Sequence, residues 1–214
     1  MKIFIDSADP KEIKQAAEWG LLDGVTTNPT LIAKQNTDPK KLLEQICEIA
    51  PVPVNAEPIS VDYEGIIKEA NELVKISKQI VVKVAITNDG LKAVKNLVNR
   101  GIKTNLTLVF SPLQAILAAK VGSTYVCPFV GRLDDIGQNG MDLIKEIIQI
   151  YRNYSYKTQI IVASVRSTNH IISSAEFGAD IVTVPFKIIT QMVKHPLTDI
   201  GIQKFLEDWR KTNK

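Results

Sequence analysis

Lys83 stands in the middle of an apolar, largely β-branched run, Gln79-Ile80-Val81-Val82-Lys83-Val84-Ala85-Ile86-Thr87. Val82 and Val84 flank it, so the segment reads as a strand covered on both faces, from which the lysine stem has no easy route to water. Burial disfavours an ammonium, and a lysine whose pKa falls from about 10.4 toward neutrality is a usable amine nucleophile. Position alone leaves two readings open: a nucleophile, or one half of a structural ion pair at a strand end.

Other polar residues gather at the ends of similar apolar runs: Asp6, Thr26, Asn28, Glu57, Asn105, Thr107, Ser164 and Arg166, with Arg132 just past Phe129. Each has an ordinary structural use. Asp6 and Asn28 are placed to cap the helices that follow them, Thr107 to satisfy backbone groups, and Arg132 to pair with Asp134 or Asp135. Taken together they leave many buried polar groups in need of partners, and a shared site accounts for them at once. The set also suits one amine. A lysine forming a Schiff base with a ketone needs a proton shuttle, which a water held by Glu57 and Thr107 would supply. Asp6 would take the proton from the substrate hydroxyl beside the scissile carbon-carbon bond, with the iminium as electron sink. Arg132 and Arg166, helped by Ser164, suit a phosphate.

The elements that must position these residues alternate along the chain, short apolar runs with longer segments of helical period, as βα units of a parallel sheet do. Eight strands are expected, at about Lys2 to Asp6, Gly24 to Asn28, Val52 to Glu57, Ile80 to Val84, Lys103 to Leu108, Tyr125 to Phe129, Gln159 to Ala163 and Asp180 to Val184. Ser7-Ala8-Asp9-Pro10 supplies a helix start, and Asn99-Arg100-Gly101 and Phe177-Gly178 supply glycine stops. Eight units predict a single α/β domain over residues 1–214, a closed (β/α)8 TIM barrel. An open doubly wound sheet is the alternative, but no glycine-rich fingerprint follows the first strand. A further amphipathic helix at about 199–213 carries Ile202, Phe205, Leu206 and Trp209 on one face, to fold back over its own barrel or dock on a neighbouring subunit.

Bulk composition narrows the class. The 214 residues are 45% apolar and 23% charged with a net charge of +3, and basic and acidic residues are interleaved, which argues for a globular fold and against nucleic acid as a partner. No apolar stretch is long enough to span a bilayer and the N-terminus opens a strand, so no membrane association and a cytoplasmic location are expected. Cys47 and Cys127 lack metal or disulfide spacing and read as core. His170 and His195 lie far from any acidic ligand pattern, so no metal site is expected.

These residues and their motifs resemble the small transaldolases and fructose-6-phosphate aldolases, class I aldolases on a (β/α)8 barrel. The resemblance covers essentially the whole chain. It rests on Asp6, Gly24-Val25-Thr26-Thr27-Asn28-Pro29-Thr30, Val82-Lys83-Val84, Thr104-Asn105-Leu106-Thr107-Leu108-Val109-Phe110 and Pro128-Phe129-Val130-Gly131-Arg132-Leu133-Asp134-Asp135, and continues through Ala163-Ser164-Val165-Arg166 and Ala179-Asp180-Ile181-Val182-Thr183-Val184-Pro185. It implies Lys83 as the Schiff-base lysine, Asp6 as the acid/base, Glu57 and Thr107 holding the shuttle water, Thr26, Asn28 and Asn105 around the sugar, and Arg132, Ser164 and Arg166 on the phosphate. It also implies no cofactor, sugar-phosphate substrates, and a homo-oligomer, pentamer or decamer, built through the C-terminal helix.

Within that family Glu57 and Phe129 resemble the transaldolase branch, where the aldolase branch has Gln and Tyr; Asn105 agrees. Phe129 has no phenol to activate a hydrolytic water, so a dihydroxyacetone adduct would wait for an aldehyde acceptor. Pro58, next to Glu57, stands where it could shift that carboxylate's aim. The competing expectations are an aldolase that releases dihydroxyacetone and a sugar-phosphate-binding barrel without catalysis.

Overall fold

The computed structural model describes residues 1–212. Eight strands, β1 (Lys2–Asp6), β2 (Gly24–Thr26), β3 (Val54–Ala56), β4 (Ile80–Ala85), β5 (Thr104–Val109), β6 (Tyr125–Pro128), β7 (Gln159–Val162) and β8 (Ile181–Val184), form a closed parallel barrel in sequence order. Closure pairs Lys2 with Ile181 and Ile5 with Val184. The helices are α1 (Pro10–Glu18), α2 (Pro29–Ala33), α3 (Pro39–Ile49), α4 (Tyr63–Ile76), α5 (Asn88–Asn99), α6 (Pro112–Lys120), α7 (Val130–Asp134), α8 (Gly140–Asn153), α9 (Thr168–Phe177), α10 (Phe186–Met192) and α11 (Pro196–Thr212). The expected (β/α)8 barrel with an added C-terminal helix is therefore the observed fold; the expected reach of that helix to residue 213 lies outside the described residues.

Local chemistry sets the element ends. Asp9, Asn28, Asp38 and Ser111 each cap a helix whose first residue is Pro, where a missing N–H costs nothing. Gly101 and Gly178 follow helices α5 and α9 with φ of 75° and 82°, a left-handed turn that a side chain resists. Strands β2, β3, β6 and β7 stop earlier than the apolar runs suggest, while β4 and β5 run one residue further. Asn28, Glu57 and Phe129 lie just beyond β2, β3 and β6, because Asn28 and Phe129 already occupy the cap positions of α2 and α7.

Alternation along each strand divides the core in two. Outward residues such as Ile5, Val25, Val82, Leu106, Val162 and Val182 pack under the helices. Inward residues Phe4, Val81, Tyr125, Cys127, Ile161, Ala163 and Ile181 form a separate apolar cluster inside the barrel. Phe4 crosses the interior only because β2 begins with glycine, since a Cβ on Gly24 would sit 2.4 Å from its ring.

Helix α11 buries no residue. Ile202, Phe205, Leu206 and Trp209 are 50%, 75%, 47% and 67% exposed, so of the two dispositions expected for this stripe, folding back over its own barrel is not the one adopted.

Candidate active site

Lys83 points inward from β4, paired across the ladder with Asn105 of β5, and is buried. Its Nζ lies 2.6 Å from Glu57 Oε1 and donates to the Thr27 carbonyl oxygen at 2.9 Å. Of the two opening readings the ion pair is the one observed, and it faces the barrel mouth. The expectation of a depressed pKa is corrected. Burial pushes the ammonium down, but Glu57, by charge and hydrogen bond, together with Cys127 and Asp6 outweighs it and holds Lys83 above its ordinary value.

Asp6 ends β1 and behaves oppositely. Burial raises its carboxyl above the ordinary range, and the Lys83 charge and a hydrogen bond from Thr26 only partly oppose this. Thr26 Oγ1 donates to Asp6 Oδ1 at 2.8 Å and lies 2.6 Å from Thr183 Oγ1. The Thr26 proton is committed to Asp6, so Thr183 must be the donor to Thr26, making a short hydroxyl relay across β1, β2 and β8. Asp6 does not cap a helix; Asp9 does.

The amides form a second chain. Asn105 Nδ2 donates to Asn55 Oδ1 at 2.9 Å, and Asn55 Nδ2 to the Val25 carbonyl at 3.0 Å. Asn105 Oδ1 and Thr107 Oγ1 are buried with no hydrogen-bond partner among the described residues. Such a group costs about 1–3 kcal/mol unless something polar reaches it; Thr107 has the Cys127 thiol beside it, so Asn105 Oδ1 is the one left open to a polar guest. Cys127, inward on β6 opposite Thr107, is pushed by burial up to about 12, and is a neutral thiol at this site.

Glu57 lies outside β3, and its aim is set by the loop that follows. Glu69 of α4 accepts hydrogen bonds from the backbone N–H of Ile59 at 2.5 Å and Ser60 at 3.2 Å, and from the Ser60 hydroxyl. With Pro58 beside it, Glu57 still meets Lys83, and the next two residues are fastened to a helix. Nothing in the sequence marked Glu69, Asn55 or Thr183, which look like ordinary helix-surface and strand residues.

Over this buried centre opens a cleft of about 390 Å³ lined by Asn28, Leu31, Glu57, Leu108, Phe129 and Arg132 among others. Asn28 also caps α2, its Oδ1 accepting from Leu31 N–H at 2.9 Å, while lining the cleft. Leu108 reaches the cleft through a left-handed backbone, φ 58°, at an irregularity in β5. Phe129 meets Phe110 edge-on at 5.8 Å, and the Arg132 guanidinium stands 5.3 Å from the Phe129 ring centre.

Arg132 pairs with neither acid expected for it. Asp135 pairs with Arg166 at 2.7 Å, and Asp134 with His170 Nε2 at 3.0 Å, so His170 does meet an acid. Ser164 sits in a left-handed conformation, φ 61°, its carbonyl accepting from Gly131 N–H at 3.1 Å. The structure therefore brings Lys83, Glu57, Asp6, Thr26, Asn105 and Thr107 together under a mouth containing Asn28, Phe129 and Arg132, while Arg166 is turned toward Asp135. Clefts of about 380 and 570 Å³ around Tyr156 and Lys157 hold none of the expected site residues. Among the described residues no group of three His, Cys, Asp or Glu is arranged to hold a metal, and no helix is long and apolar enough to cross a membrane.

Residues 3–214 match the family described as Transaldolase/Fructose-6-phosphate aldolase. The chain is 59% identical over 215 residues to a probable transaldolase of Caldicellulosiruptor saccharolyticus, covering 100% of this chain and 99% of that one. It is 56% identical to a probable transaldolase of Thermodesulfovibrio yellowstonii, with 100% of both chains covered, and 54% identical to one of Petrotoga mobilis, with 99% and 96% covered. Among solved structures, thiamine phosphate pyrophosphorylase from Pyrococcus furiosus superposes with a TM-score of 0.60 over 86% of this chain and 85% of that one, at 13% identity, a likeness of fold alone. Matched along its length in sequence and carrying a buried lysine-carboxylate centre at the barrel mouth, the chain belongs to the transaldolase/fructose-6-phosphate aldolase family.

Proposed function

We propose that the protein is a transaldolase moving a dihydroxyacetone unit from a ketose phosphate, sedoheptulose 7-phosphate or fructose 6-phosphate, to an aldose phosphate, glyceraldehyde 3-phosphate or erythrose 4-phosphate, in the non-oxidative pentose phosphate pathway. The observation that carries this reading is the 2.6 Å contact between Lys83 Nζ and Glu57 in a buried pocket shared with Asp6. Glu57 takes the ammonium proton across that contact, which frees the amine despite its raised pKa. The amine adds to the ketone carbon; Glu57, through a water held with Thr107, returns a proton to the carbinolamine oxygen, and water leaves to give the iminium. Asp6, as carboxylate, removes the hydroxyl proton beside the scissile bond. The bond's electrons move into the iminium, leaving an enamine on Lys83 and releasing the aldose phosphate. An incoming aldehyde is attacked by the enamine carbon, Asp6 returns its proton to the new alkoxide, and hydrolysis frees the product ketose and Lys83.

Thr26, Asn28 and Asn105 bind sugar hydroxyls, Asn105 through the carbonyl oxygen its neighbours leave unpaired. Arg132, Ser164 and Arg166 take the phosphate, and Phe129 walls the adduct from a hydrolytic water. No metal or organic cofactor is required, since the iminium is the electron sink. The exposed face of α11 suits a homo-oligomeric, cytoplasmic enzyme. The test is glyceraldehyde 3-phosphate release from fructose 6-phosphate, with and without erythrose 4-phosphate, at enzyme well below substrate. Acceptor-dependent release over many turnovers is expected. Equal release without acceptor would make the protein an aldolase, and no borohydride-trapped adduct at all would make it a binding barrel.

A further inference from the structure

The two arginines of the phosphate end are in different states. Arg132 stands over Phe129 in the cleft and pairs with no carboxylate among the described residues. Arg166 does not line that cleft; it lies across α7, so close to its backbone that a Cβ on Gly131 would lie 2.7 Å from Arg166 Cγ and Nε, and its Nη2 meets Asp135 Oδ2 at 2.7 Å. The backbone beneath it is held separately: Arg166 N–H donates to His170 Nδ1 at 3.3 Å, and His170 Nε2 lies 3.0 Å from Asp134 Oδ2. The loop is thus fixed by Asp134 and His170, while the guanidinium itself is retained by Asp135.

That retention is weak by design of its surroundings. The side chains of Arg166 and Asp135 are 54% and 55% exposed, and ion pairs so open to water are easily exchanged. A phosphate dianion offers a guanidinium more charge than a carboxylate does, and an equally good bidentate geometry. We infer that Asp135 is a specificity-determining residue that stows Arg166 and yields it only to a phosphate, so that the phosphate end of a substrate is gripped by Arg132 at once and by Arg166 after displacement of Asp135. This rests on the proposed role of Arg166 as a phosphate ligand. Phosphate affinity is then reduced by the fraction of molecules in which Arg166 is stowed.

The test is calorimetric titration of inorganic phosphate into wild type, Asp135→Asn, Arg166→Ala and the double variant, with the KM for fructose 6-phosphate and for unphosphorylated fructose measured alongside. Asp135→Asn is expected to bind phosphate about two- to five-fold tighter, to lower KM for fructose 6-phosphate by a similar factor at unchanged kcat, and to leave fructose unaffected. The gain should vanish when Arg166 is already Ala. A gain that persists in the Arg166→Ala background means Asp135 acts only by its general negative field, and overturns the inference. Unchanged phosphate binding in Asp135→Asn overturns it, and weaker binding does too, by making Asp135 a support for Arg166. Phosphate binding indifferent to Arg166→Ala alone would remove Arg166 from the site and the inference with it, whereas a transferase test that fails while Arg166-dependent phosphate binding survives would strike the proposed reaction alone.

Discussion

The interior of the barrel has a floor and a mouth, built from the same strands one inward position apart. On β1 the floor has Phe4 and the mouth Asp6; on β4 Val81 and Lys83; on β8 Ile181 and Thr183. A two-residue step, about 6–7 Å along a strand, separates a dry hydrocarbon plug from a cluster of charged and hydrogen-bonding groups. The floor gives the mouth its electrostatics. With an apolar cluster packed beneath, burial raises Asp6 and opposes the charge on Lys83, while Glu57 at 2.6 Å favours that charge. The two halves should therefore answer mutation in opposite currencies: activity at the mouth, stability at the floor.

The largest expected effect is at Lys83. Lys83→Arg keeps a cation opposite Glu57 but removes a usable amine, and turnover should fall by at least about 10³-fold. Mass spectrometry after borohydride reduction in the presence of fructose 6-phosphate checks it: the wild type should gain the dihydroxyacetone adduct and the variant none, with circular dichroism showing both folded. Surviving transfer in the variant would remove Lys83 from the reaction.

Asp6→Asn should split the two currencies within one residue. Carbon-carbon cleavage should fall about 10²- to 10⁴-fold, while adduct formation at Lys83 persists. The raised carboxyl also has a sign in stability. A folded-state pKa above the unfolded one means the fold binds this proton more tightly, so the residue's contribution is greatest below the ordinary carboxylate range and is lost as pH rises through the raised value. Asn has no such titration, so the Tm of the variant should fall less than that of the wild type as pH rises through the raised value. In the wild type the same shift places the acid limb of the cleavage rate above the ordinary carboxylate range, in a stopped-flow pH profile. A Tm that falls with pH as steeply in the variant as in the wild type, or an acid limb near the usual Asp value, contradicts this account.

At the floor, Ile161→Ala should cost about 2–5 kcal/mol in urea unfolding, because the fully buried side chain leaves a cavity that the closed barrel cannot collapse. Its kcat should stay within a few-fold of wild type under conditions where it is folded. A loss of activity matching that of Asp6→Asn would mean that floor and mouth are not separable.

What could be read in the sequence follows the range of the interaction. Lys83 stood out because its immediate neighbours are apolar, and the strands because β-branched residues cluster between capped helices. The barrel's partners across space were silent. Thr183 matters because closure sets it beside Thr26, 157 residues away, and Asn55 because it meets Asn105 at a separation of 50. Thr26, Asn105 and Thr107 are legible as polar residues at the ends of apolar runs, but which of them meets Thr183 or Asn55 is set only by barrel closure. The sign of the Lys83 shift is silent for the same reason, since burial is visible in a β-branched run but the Glu57 carboxylate that meets Lys83 comes from another segment of the chain. Arg166 was read by type and position, but its rotamer is decided by Asp135, 31 residues upstream on another element.

Phe129 sharpens the comparison at its smallest scale, because it continues the inward series of β6 beyond Tyr125 and Cys127 and so brings the floor's apolar character to the rim. Its ring packs on Phe110 and under Arg132, in contact with the cleft but without a polar atom. Phe129→Tyr adds one hydroxyl at that rim and little else. If the lifetime of the dihydroxyacetone adduct depends on keeping water unactivated there, the phenol should orient a water for hydrolysis and raise acceptor-independent cleavage of fructose 6-phosphate about ten-fold, with the transfer rate changed less. The ratio of glyceraldehyde 3-phosphate released without and with erythrose 4-phosphate measures this in one assay. An unchanged ratio would move control of hydrolysis away from the rim and onto Glu57 and Thr107 at the buried centre.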